Sequence, residues 1–159
     1  MKQTYRVVAS LIALGVLVQA ASVAFGWFEV LTEVEDGQIF SDTSNYNAGQ
    51  IVHSAVGMFL MPVLGLVLLG VSFGAAKAVP GARKWAGIVL GLIVLQVALA
   101  FAAYAVPAIG ALHGLNALAV LGAAGRASML TRQPAAGSVA GIPAQRTGST
   151  DASGSTLPV

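Results

Sequence analysis

The sequence predicts an all-α fold, a four-helix transmembrane bundle, on three observations. The chain of 159 residues is 57% hydrophobic and only 9% charged, with a mean hydropathy of +0.82, whereas soluble domains carry about 25% charged residues. Four stretches approach the roughly 20 apolar residues that a hydrocarbon core demands. Those stretches are continuous, without the alternation of barrel strands, and a continuous apolar span satisfies its own backbone only as a helix. The same numbers exclude disorder for most of the chain. A formal net charge of +2 leaves no basic stripe for a nucleic acid. With no Cys, disulfides, thiolate metal sites and Cys nucleophiles are excluded too.

The first span covers about residues 7–27 and the second 51–73. Between the second and the third, Pro80-Gly81 marks a tight turn. The third covers 85–105, and the fourth, 107–124, begins almost at once. Pro107 suits the first turn of that last helix, where a missing N–H costs nothing. Residues 1–126 form the bundle; 127–159, rich in Ser, Thr, Gly, Ala and Pro, read as a flexible cytoplasmic tail. Lys2, Arg6 and the apolar run to Gln19-Ala20-Ala21 also resemble a secretory signal, but the run continues through Phe25 and Trp27, which favours a retained span.

Charge sets the orientation. Lys2 and Arg6 precede the first span, Lys77, Arg83 and Lys84 separate the second from the third, and Arg126, Arg132 and Arg146 follow the fourth. Glu29, Glu33, Glu35, Asp36 and Asp42 fall in the connection between the first two spans. The positive-inside rule then makes both termini cytoplasmic in a multi-pass protein of the plasma membrane.

The chemistry must come from polar groups within the spans, and the titratable ones there are His53 and His113. Counted from the outer ends at 1.5 Å per residue, they lie about 5 and about 9 Å deep. Two neutral imidazoles at similar depth on different helices suit the two axial positions of one haem iron. Structural hydrogen bonding, and the handling of protons, metal ions or substrate, are the other roles open to such a pair. Gly57 follows His53 by one turn, and Gly110 and Ala117 flank His113 at helical spacing, leaving room for a flat macrocycle. Asn116 shares the His113 face; it suits a propionate, an imidazole nitrogen or a helix–helix hydrogen bond. Gln19 and Gln96 each precede a histidine helix, so the chain reads as two pseudo-repeated hairpins related by an axis along the membrane normal. Met58 and Met61 read as packing.

Gln96-Val-Ala-Leu-Ala and Ala105-Val-Pro-Ala-Ile-Gly-Ala-Leu-His113-Gly-Leu-Asn-Ala resemble a helix pair of the haem A synthase family, and Gln50-Ile-Val-His53 resembles that family's preceding histidine helix. The resemblance covers spans two to four and implies one four-helix half of the usual eight-helix enzyme, with a haem held by His53 and His113. The family's catalytic half carries a Glu shortly before the first His and an Arg just after it; here those places hold Gln50 and Ser54. The chain therefore looks more like a cofactor-holding half than a complete synthase. It is also similar to an uncharacterised family of small four-helix actinobacterial membrane proteins.

The expected function is that of a b-type cytochrome-like protein: one haem b on His53 and His113, with Gly57, Gly110 and Asn116 around it, used for electron transfer. Two axial histidines saturate the iron. The expected partners are the lipid bilayer, a quinol or a membrane redox protein, and a second copy or a larger membrane complex. The alternatives are a cofactor-free accessory subunit or assembly factor, and a haem-modifying enzyme similar to haem A synthase.

Overall fold

The structure, a computed structural model, describes residues 1–40 and 46–132. It contains four helices and, among the described residues, no strand. Helix α1 is Lys2–Glu35, α2 is Ala48–Ala75, α3 is Ala82–Ala105 and α4 is Ile109–Leu130. Helices α1, α2 and α3 are long and apolar enough to cross a membrane. At 22 residues α4 has the length, but His113, Asn116, Arg126 and its glycines dilute its apolar character.

Each helix packs against its two neighbours around the ring, α1 on α2, α2 on α3, α3 on α4 and α4 on α1. Helices α2 and α4 are therefore diagonal partners. Lys2, Arg6, the α2–α3 turn and the end of α4 gather at one end, where Ser10 and Ser128 hydroxyls meet at 3.0 Å and Arg126 stacks over Trp85 at 5.9 Å. Glu29, Glu33 and Glu35 stand at the opposite, acidic end with exposed Trp27, Tyr46 and Tyr104. Amphipathic aromatics of this kind favour a membrane–water boundary.

The packed core lies toward the basic end. Tyr5, Val8, Ala9, Ile12 and Val16 of α1 meet Met61, Leu68 and Ala75 of α2, Ala82, Ala86, Val89 and Ile93 of α3, and Val120, Ala123, Ala124 and Ala127 of α4. Many of these are alanines because lipid exerts no hydrophobic drive between helices, so stability comes from close backbone approach and interhelical hydrogen bonds. One such bond runs from the buried Tyr5 hydroxyl to the Ala82 carbonyl at 3.0 Å. Tyr5→Phe is expected to lower the stability of the detergent-solubilised protein by about 1 kcal/mol, read as an earlier thermal unfolding midpoint. The core-forming part of α1 precedes Ala20-Ala21, and the helix passes through those residues without interruption.

Two boundaries differ from the sequence expectation. Helix α1 does not stop near Trp27 but runs to Glu35, so Glu29, Glu33 and Glu35 are helical instead of lying in a loop. Nothing between them breaks a helix until Gly37 at φ 84°. There the N–H groups of Gly37 and Gln38 bond the carbonyls of Val34 and Glu33, a Schellman ending that needs the left-handed conformation open to glycine. Helix α4 starts at Ile109, after a turn containing Pro107, and continues through residues 127–130, which were expected to open the tail. Ala127 and Leu130 extend the buried series of Val120 and Ala123, and that packing carries the helix on. The tail proper, 133–159, lies outside the described residues, as does Asp42. Pro80-Gly81 does form a turn, with Gly81 at φ 82° immediately before α3.

Candidate functional site

The chain enters α2 through a capping box. The Asn47 side chain accepts from the Gln50 N–H at 3.0 Å, and Gln50 Oε1 accepts from the Asn47 N–H at 3.1 Å, which satisfies two free donors of the first turn. Asn47 Nδ2 also donates to the Gly26 carbonyl at 2.7 Å, tying the cap to α1. Gly49 lies directly against the backbone of Ser22 and Gly26. Gln50 is thus engaged in starting the helix.

One turn beyond Gly49, the His53 Nδ1 lies 3.2 Å from the Gln19 carbonyl of α1. In the other hairpin the His113 Nδ1 lies 3.1 Å from the Gln96 carbonyl of α3. A carbonyl only accepts, so in each case Nδ1–H is the donor, an arrangement that in the neutral ring leaves the lone pair on Nε2. The two rings face one another across the α2–α4 diagonal with centroids 6.2 Å apart and planes tilted by 59°. Both histidines are half-buried, and on α2 no residue between Gly49 and Met61 is buried. The site thus stands where the packed core gives out.

Residues Val56–Leu60, immediately after the His53 turn, form a π-helical turn in which the Met61 N–H bonds the Val56 carbonyl. Its cause is Pro62, which lacks an N–H and whose ring collides with the carbonyl four residues back in a regular helix. The wide turn re-aims the His53 segment relative to Met61–Ala75. Gly57 therefore does not border open space: a Cβ there would stand 2.7 Å from Gln19 Nε2, so the Gln19 side chain covers it. Gly110 has nothing within 4 Å of its Cβ position. Ala117 packs against the core.

Asn116 is buried, and its Nδ2 donates to the Leu92 carbonyl at 2.9 Å and to Gln96 Oε1 at 2.6 Å. Gln96 Nε2 in turn donates to the His113 carbonyl at 3.0 Å. These bonds clamp α4 to α3 beside the ring. The corresponding carboxamide on α1 has no such clamp, and Gln19 Oε1 is buried without a hydrogen-bond partner among the described residues. Composition and spacing had singled out Gln19 and Gln96, but not that their backbone carbonyls are the histidine acceptors.

Among the described residues no three His, Asp or Glu converge on a point, so an isolated zinc or copper site of the usual ligand count is not assembled. Each of the two imidazoles is held by an Nδ1–H bond to a carbonyl. Compared with known protein families, characterised proteins and solved structures, the chain finds no match.

Proposed function

We propose that this chain is a multi-pass protein of the plasma membrane, with α4 as the fourth span and both termini cytoplasmic, that holds one b-type haem between His53 and His113 and passes electrons through it. The observation that carries the reading is the paired-imidazole geometry: rings 6.2 Å apart, each anchored through Nδ1 to a carbonyl with Nε2 left to ligate. The two hairpins act as repeats about an axis along the bundle, each using a glutamine carbonyl of its first helix to orient the histidine of its second. Gly110 leaves the approach to His113 unobstructed, Gly57 admits the Gln19 side chain, and Asn116 fixes the α3–α4 pair.

When bound, the haem supplies a reversible one-electron iron couple. His53 and His113 would hold the group, with the carbonyls of Gln19 and Gln96 orienting their rings, and a group held by two histidines suits electron transfer better than substrate chemistry. Gln50, committed to the helix cap, puts no carboxylate beside His53, which weighs against a haem-modifying role. The donor is a quinol or another membrane protein.

Purified protein from haem-replete cells is expected to show a Soret band, a dithionite-reduced α-band and a positive pyridine hemochrome, all lost in the His53→Ala/His113→Ala double variant. Colourless, folded wild-type protein would overturn the haem reading and leave the accessory-subunit role, with the histidines serving as interhelical hydrogen-bond donors.

A further inference from the structure

At the basic end of the bundle a cavity of about 190 Å³ opens between the first turns of α1 and the end of α4, lined by Lys2, Gln3, Arg6 and Thr131. That volume is several times what a single water needs. Lys2 and Arg6 are four residues apart and share one face of α1, where like charges repel. No acidic side chain lines the cavity. The acidic residues among those described, Glu29, Glu33, Glu35 and Asp36, stand at the far end of the same helix, about 35 Å or more from Arg6 at 1.5 Å per residue. Thr131 is buried and gives its hydroxyl proton to the Ser128 carbonyl at 2.8 Å. It therefore forms a wall, and the donors of the cavity are those of Lys2, Gln3 and Arg6.

We infer that this cavity is a headgroup site for an anionic phospholipid, with the phosphate between Lys2 and Arg6 and an acyl chain along the exposed apolar face of α1. The donor set points to phosphate: a guanidinium takes two phosphate oxygens in parallel bonds, and an ammonium adds a compact charge. The source is lipid because of what continues the site. Leu14 and Leu17 lie eleven residues beyond Gln3 and Arg6, three turns on and nearly eclipsed with them. Both are exposed, as is Val7 one turn beyond Gln3. Helix α1 is long and apolar enough to cross a membrane, so this face meets acyl chains where the cavity meets headgroups. Basic pockets between membrane helices are recurrent headgroup sites. The site uses neither histidine, so it stands apart from the haem reading.

The test titrates phosphatidylglycerol into full-length protein held in detergent with phosphatidylcholine, with retained lipid counted by native mass spectrometry. Wild-type protein is expected to retain phosphatidylglycerol in preference to phosphatidylcholine. Lys2→Gln/Arg6→Gln should weaken that binding by about 30-fold, the effect of removing two basic contacts to an anionic lipid. Both side chains are exposed, so this variant should unfold at the wild-type midpoint in phosphatidylcholine alone. Arg83→Gln/Lys84→Gln removes two cations from the same end that do not line the cavity, and it should bind the lipid as wild type does. Equal weakening in the two double variants would reduce the effect to diffuse surface charge and overturn the inference. Equal retention of the two lipids by wild-type protein would overturn it as well. Glycerol phosphate binding as tightly as phosphatidylglycerol would make the cavity a site for soluble phosphate and overturn the lipid assignment.

Discussion

Gly49→Leu is expected to detach the outer part of α2 from α1 and to cost about 3 kcal/mol or more of stability. A Cβ at position 49 falls on the Ser22 carbonyl oxygen and on the backbone nitrogen and Cα of Gly26. All of these are backbone atoms of another helix, so no side-chain rotation relieves the overlap and the helices must separate. Separation also breaks the Asn47–Gly26 bond and withdraws His53 from the Gln19 carbonyl. The measurement is thermal unfolding of the detergent-solubilised protein by circular dichroism. Gly70→Ala, on the same helix but with open space at its Cβ position, is the control and should be neutral or slightly stabilising, because alanine favours helix by up to about 1 kcal/mol. Equal midpoints for Gly49→Leu and wild type would show that the close crossing of α1 and α2 contributes nothing.

The helices were legible in the sequence because each needs only a long apolar run and a breaker at its end. Pro80-Gly81 and Pro107 are visible breakers, and turns stand at both. The extension of α1 to Glu35 was less visible: acidic residues suggested a loop, yet glutamate is a good helix former and the first positive-φ position is Gly37. Depth arithmetic placed the two histidines at similar depth but said nothing of their lateral separation, which the structure gives as 6.2 Å between ring centres. The surroundings of Gly57 were not legible by the same arithmetic. A spacing of four residues shares a face only in a regular helix, and Val56–Leu60 is not one. Pro62 was the available signal. Backbone carbonyls leave no mark in a sequence, so the acceptors of the two Nδ1–H groups needed the structure to be seen.

Asn116→Leu is expected to destabilise the α3–α4 pair by about 1–3 kcal/mol, because it strands a buried acceptor. Leucine shares the branched shape of asparagine and is somewhat larger, so the substitution removes polar bonds without opening a cavity. It deletes the donors to the Leu92 carbonyl and to Gln96 Oε1. The carbonyl keeps its own helical partner, whereas Gln96 Oε1 has no second donor among the described residues. Hydrogen bonds between membrane helices average nearer 0.6 kcal/mol because the unfolded helices find other partners in lipid; burial at position 116 places this one toward the upper part of the range. Gln96→Leu removes the acceptor and also the donor to the His113 carbonyl, so it should cost a similar amount. The decisive comparison is the Gln96→Leu/Asn116→Leu double variant. If the two side chains act as one clamp, it should be destabilised by clearly less than the two single losses together, with a coupling of at least about 0.5 kcal/mol. Strict additivity would mean that each residue bonds its own backbone partner independently, and the clamp that distinguishes His113 from His53 would not exist.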